Sequence, residues 1–174
     1  QPIDNENLRS IRARIAGYFA TLRLKTVMPT SAPKDCPLCF PERENVLWRD
    51  ASCRVIRVDD PDYPGYCRLI WKEHVAEMSD LSPAEQRHCF NILMAVEVAL
   101  RECFSPDKIN LASFGNVVPH LHWHLIPRYL DDRHFPQPVW GVVQRKGGSS
   151  PAPVVDDARL ALAVRNAIAE HLAG

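Results

Sequence analysis

The sequence predicts an α+β domain: a five-stranded antiparallel sheet with one long helix, plus helices at both ends. Three observations carry this. Short apolar-rich segments at 46–49, 53–58, 66–71, 109–114 and 120–126 alternate with turn residues. The links 59–65 and 115–119 are too short for the crossover that parallel neighbours need, so the strands they join pair antiparallel. A helix signal at 82–85 stands between the two groups of strands, which excludes the regular alternation of a doubly wound fold.

The 174 residues are enough for one domain with a real core. Apolar residues make up 46% and charged residues 24%, the ordinary globular range. Lys and Arg (21) balance Asp and Glu (21), so neither a nucleic-acid nor an anionic-membrane partner is expected. No apolar run approaches the roughly 20 residues that span a bilayer. The start, Gln1-Pro2-Ile3-Asp4, is polar and lacks the apolar stretch of a signal peptide. Most of the six cysteines sit in apolar or periodic segments, the pattern of free thiols in a reducing, cytoplasmic setting.

Residues 4–25 read as a helix, with Leu8, Ile11, Ile15, Phe19 and Leu22 at three- and four-residue steps and Asp4 or Asn5 as cap. It reads as an added helix packed on the domain, with a partner-binding helix as the alternative. Pro29 and Pro33 mark a linker over 27–35. Cys36-Pro37-Leu38-Cys39 is a tight knuckle. Three strands follow, the last two separated by Asp59-Asp60-Pro61-Asp62-Tyr63-Pro64-Gly65. Ser82 is a helix N-cap, Pro83 the first helical residue and Glu85 the partner that closes a capping box. That helix runs to about residue 103, with Phe90, Leu93, Val96 and Leu100 on its buried stripe. Beyond the fifth strand, Pro136, Pro138 and Pro151 mark an irregular tail, with Gly147-Gly148-Ser149-Ser150 its most flexible stretch. A last helix over 156–172 is capped by Asp156 or Asp157. The chain thus divides into an extension and linker (1–35), a domain (36–130) and a tail and helix packed on that domain (131–174).

Function is concentrated in Pro119-His120-Leu121-His122-Trp123-His124-Leu125. Side chains alternate along a strand, so His120, His122 and His124 share one face, roughly 6–7 Å apart, and Leu121, Trp123 and Leu125 back them. Two chemistries want imidazoles on one strand face: metal ligation, and a nucleophilic histidine beside an anion site. No acidic residue lies between 109 and 130 to serve a metal-bound water, which favours a phosphoryl substrate attacked by histidine. Asn116, in the loop before the strand, offers a donor and an acceptor.

The run Gly115-Asn116-Val117-Val118-Pro119-His120-Leu121-His122-Trp123-His124-Leu125-Ile126-Pro127-Arg128 resembles the signature of the histidine-triad (HIT) superfamily of nucleotide hydrolases and transferases. Pro64-Gly65-Tyr66-Cys67-Arg68-Leu69-Ile70-Trp71-Lys72-Glu73-His74 is similar to a second strand of that family. The resemblance spans roughly residues 36–130 and implies a HIT-like fold. It implies that His122 attacks the α-phosphorus of a nucleotide conjugate, a dinucleoside polyphosphate or a nucleoside phosphoramidate, forming a covalent nucleotidyl-histidine. It further implies that His124 assists the leaving group, that His120 completes the triad, and that Asn116 contacts the phosphate or leaving group. The sequence has no obvious metal–carboxylate cluster, so a divalent metal is not expected to be needed for the chemical step.

Cys36-x-x-Cys39 is half of a zinc site, and free thiols or a redox pair are the alternatives. The resemblance supplies His74 and His120 as the other ligands of a structural zinc. It places Asp59 or Asp60 against the ribose, where ordinary turn chemistry serves equally well. It also implies a homodimer. Two rival functions remain open at this level: a zinc hydrolase with the three histidines as ligands, and a non-catalytic nucleotide sensor or scaffold.

Overall fold

A computed structural model describes residues 33–146 and 152–173. The expected helix at 4–25, most of the linker and the glycine-serine stretch lie outside the described residues. The elements run in the order β1 (Asn45–Arg49), β2 (Cys53–Arg57), β3 (Cys67–Trp71), a 3-10 turn (Met78–Asp80), α1 (Pro83–Phe104), β4 (Lys108–Ala112), β5 (His122–Arg128) and α2 (Asp157–Ala173). The strands form one antiparallel sheet in the order β1-β2-β3-β5-β4. The expected fold class is therefore the observed one.

Helix α1 starts where its chemistry dictates. Ser82 accepts a hydrogen bond from the Glu85 amide, and the Glu85 carboxylate accepts one from the Ser82 amide. The helix ends on Ser105 in the left-handed region (φ 45°). Its buried face carries Ile92, Leu93, Val96 and Leu100. Phe90 does not join them: it is 46% exposed, on the rim of the stripe, with its ring 5.7 Å from that of Trp123. Helix α2 lies beside α1, burying Leu160, Val164 and Ile168, and Asp156 caps it by accepting from the Arg159 amide.

The period-two rule then sorts the sheet into two faces. Cys53, Val55, Cys67, Leu69, Trp71, Leu121 and Leu125 share the core with both helices. The intervening Ile56, Arg68, Ile70, His122 and His124 look the other way, toward residues 36–46 and the loop before β5. Gly65 is required between β2 and β3. It has φ +82°, and a Cβ there would meet the Phe104 ring at 2.6 Å.

One strand boundary matters for the site. The expected fifth strand over 120–126 instead begins at His122. Pro119 and a turn in which the His120 amide donates to the Val118 carbonyl lift His120 out of the ladder. The Leu121 amide donates to the Val75 carbonyl instead. The expected fourth strand over 109–114 is likewise Lys108–Ala112, which frees Ser113 and Phe114 for the loop.

Candidate active site

Pairing within the sheet decides which side chains meet. On β3 and β5, Arg68 stands opposite His124 and Ile70 opposite His122. Ile56 of β2 continues the Arg68 row. These residues floor an open cleft of about 870 Å³, walled by Pro37, Leu38 and Pro41 on one side and by Phe114, Asn116, Val118 and Trp140 on the other. That volume lies within the range of small-ligand sites.

His122 has a defined tautomer. Its Nδ1 lies 2.6 Å from the His120 carbonyl oxygen. A carbonyl only accepts, so Nδ1 carries the hydrogen and Nε2 keeps its lone pair for the cleft. Burial pushes the ring's pKa down, against the hydrogen bond to the His120 carbonyl, and the Arg68 charge adds to the lowering. The ring stays neutral and nucleophilic near pH 7.

His124 packs edge-on against His122, with centroids 4.8 Å apart. Its Nδ1 meets the Tyr66 hydroxyl at 2.5 Å. Phe114 and Trp140 cover it, the Trp140 centroid at 4.9 Å. Its pKa is pushed down to about 4, mainly by burial and further by His122 and Arg68.

His120 belongs elsewhere. Its ring is buried, Nε2 lies 2.7 Å from the Trp71 carbonyl and so donates to it, and Nδ1 keeps the free lone pair. That lone pair lies 3.5 Å from Cys36 Sγ and 3.3 Å from Cys39 Sγ, while His74 Nδ1 lies 3.3 Å from Cys39 Sγ. The ligand atoms of Cys36, Cys39, His74 and His120 all lie within 4.8 Å of one another. Tetrahedral zinc with Zn–S of about 2.3 Å and Zn–N of about 2.0–2.1 Å spaces its ligands about 3.3–3.8 Å apart, so this donor set fits. Burial and the neighbouring Cys36 push the Cys39 thiol up to about 11, so a Cys39 thiolate here calls for a cation. Arg54 anchors the knuckle, donating to the Leu38 carbonyl and to both oxygens of Glu44.

The three histidines therefore do not converge on one point. His122 and His124 line the cleft, and His120 faces the cysteines. Asn116 is exposed on the cleft's rim. Asp59 and Asp60 do not reach the cleft. They line a separate depression with Asn45, Arg57 and Asp157, because Asp60 folds the turn back by accepting from the Asp62 and Tyr63 amides. Asp59 and Asp60 are therefore not brought together with His122 and His124.

Sequence reasoning gave no role to Tyr66, Arg68 or the Arg128–Asp132 pair. The signal for the first two was parity: Tyr66 and Arg68 share the even-numbered face with Ile70. Arg128 and Asp132 form a buried ion pair, 1% and 2% exposed. Arg128 also donates to Asn110 and to the Gln137 carbonyl, and Asp132 accepts from the amides of Tyr129, His134 and Phe135. This knot folds the tail back so that Trp140 reaches His124. His134 is half-buried and bonded to the Tyr63 hydroxyl.

Among the described residues no helix is long and apolar enough to cross a membrane. A family model described as HIT domain matches residues 41–131, just over half of the chain. The asymmetrical bis(5'-nucleosyl)-tetraphosphatase of Schizosaccharomyces pombe is 26% identical over 115 residues, covering 63% of this chain and 63% of that protein. The bis(5'-adenosyl)-triphosphatase of Saccharomyces cerevisiae is 33% identical over 75 residues, covering 40% of this chain and 36% of that protein. The matched region spans less than two thirds of either relative. A histidine triad protein from Bradyrhizobium japonicum superposes with a TM-score of 0.56 at 29% identity, covering 71% of this chain and 91% of that one. One from Marinobacter aquaeolei VT8 gives 0.56 at 26% identity, covering 72% and 90%.

Proposed function

Because the chain belongs to the HIT domain family, we propose that it is a nucleotide hydrolase or transferase acting at the α-phosphate of a nucleotide conjugate. Dinucleoside polyphosphates and nucleoside phosphoramidates are the candidate substrates, the former supported by the names of its curated relatives. One observation carries the reading. The bond from His122 Nδ1 to the His120 carbonyl leaves the Nε2 lone pair facing a cleft of nucleotide size. His122 Nε2 attacks phosphorus and forms a nucleotidyl-histidine, and water then releases the nucleoside monophosphate. Asn116, on the rim, contacts the phosphate or the leaving group through its amide.

Cys36, Cys39, His74 and His120 hold a structural zinc. When bound, it ties the knuckle to the segment entering β5 and so fixes the carbonyl that orients His122. The chemical step itself needs no metal. A homodimer is part of the same reading, and the exposed Phe90 beside Trp123 is apolar surface that a second copy would cover.

The test is a rapid-quench reaction with diadenosine tetraphosphate followed by intact-protein mass. An adenylylated species in the native enzyme, absent from His122→Ala, is the expected result. A folded protein that binds nucleotide without any adduct or turnover is a sensor or scaffold.

A further inference from the structure

We propose that Tyr66 and Arg68 fix His124 as a hydrogen-bond donor through Nε2, so that the cleft favours leaving groups that depart without taking a proton. The inference rests on the reading in which His122 attacks the α-phosphate, and it names the substrate class of that site as phosphoanhydride.

The geometry begins at Arg68. Its guanidinium lies 5.6 Å from the centre of the Tyr66 ring, and its Nε is buried without a hydrogen-bond partner. Arginine has donors only. Burial raises the pKa of the Tyr66 phenol and a side-chain hydrogen bond from Arg68 opposes that rise, so the phenol oxygen accepts from arginine and its hydrogen is left for another acceptor. Among the described residues, that acceptor is His124 Nδ1. A ring that accepts at Nδ1 carries its hydrogen on Nε2. Nδ1 is taken up by Tyr66, so the hydrogen on Nε2 is the one the ring has to offer to the cleft.

The same surroundings keep the ring neutral. The groups packed against it are Tyr66, Arg68, His122, Phe114 and Trp140. None is an anion that would stabilise an imidazolium, and Arg68 opposes one. Burial, His122 and Arg68 together hold its pKa down to about 4. A neutral imidazole donates a hydrogen bond but is no acid at neutral pH.

The consequence lies in the leaving group. With a phosphoanhydride, the His122 Nε2–phosphorus bond forms as the bridging phosphorus–oxygen bond breaks. The electron pair leaves on a terminal phosphate oxygen, which accepts the hydrogen bond from His124 Nε2 and needs no proton. Water then breaks the phosphorus–nitrogen bond and its surplus proton goes to solvent. With a phosphoramidate the departing amine must gain a proton as its bond breaks, and no group on the ring supplies one.

The experiment compares diadenosine tetraphosphate with adenosine 5'-phosphoramidate, and reads the His124 tautomer by nitrogen-15 NMR of the histidine-labelled protein. The anhydride is expected to win in kcat/KM by on the order of 10²-fold or more, the size of a missing general-acid contribution. His124 is expected in the Nε2–H form, and Tyr66→Phe and Arg68→Leu are each expected to mix its tautomers and lower anhydride turnover. Equal or faster phosphoramidate cleavage overturns the inference while leaving His122 as nucleophile intact. An Nδ1–H ring in the native protein also overturns it, and that measurement stands whether or not any substrate is turned over.

Discussion

The Nδ1 of His122 and the carbonyl oxygen of His120 lie 2.6 Å apart, and the carbonyl belongs to a residue whose own ring faces two cysteines. One residue thus joins the two halves of the site. Its side chain completes the donor set of Cys36, Cys39 and His74, and its main chain sets the tautomer of His122, the proposed nucleophile.

Zinc removal is expected to act through that joint. Cys39→Ser, or prolonged chelation, lowers the thermal midpoint and reduces kcat by disordering the segment that carries the His120 carbonyl. A structural zinc contributes folding free energy on the order of 10 kcal/mol in small domains. Metal analysis is expected to give one zinc per chain, falling to none in Cys36→Ser/Cys39→Ser. Retention of zinc by that double variant would show that other residues bind it.

Stability is expected to fall as the medium is acidified through the histidine range. His124 has a folded pKa of about 4, below its ordinary 6.5, so the unfolded chain binds a proton first. Its contribution is complete above about 6.5 and is lost progressively as pH falls toward 4. Below that, Asp50 and Asp132, both held below their ordinary value by hydrogen bonds that outweigh burial, extend the loss. Urea unfolding at pH 7 and pH 5 checks this. His124→Gln is expected to flatten the difference between the two.

Asp132→Ala is expected to destabilise by about 3–5 kcal/mol, since it strands the buried Arg128 guanidinium. It also frees the tail, so Trp140 becomes more exposed and its emission shifts to the red. Chemical denaturation and fluorescence against a Trp140→Phe control check both. Unchanged emission would mean that the tail docks without the ion pair.

Much of this was legible in the chain because it is local. Ser82, Pro83 and Glu85 announce α1 through a capping box that needs no tertiary partner. Alternation along His122-Trp123-His124-Leu125 assigns the two faces of β5 by geometry alone. What stayed hidden depends on contacts distant in sequence. His120 shares the parity of its sisters, but a turn at Val118 and a bond to the Trp71 carbonyl carry it off the ladder. Phe90 fits a three-residue step, yet the centre of the helix stripe runs through Ile92 and Val96. Asp59 and Asp60 read equally as ribose ligands or turn residues, and only the turn's own hydrogen bonds show Asp60 engaged in the turn. Arg68 and Arg128 look alike in sequence, and only pairing with β5 and the path of the tail separate a cleft cation from a buried structural one.

The most direct measurement is the mass of the protein quenched within its first turnovers of diadenosine tetraphosphate. The expected result is a species heavier by one adenylate, mapped to His122 and missing from His122→Ala, which keeps its zinc and its fold. An adduct mapped to His124 or to a cysteine, or full turnover by His122→Ala, would contradict it.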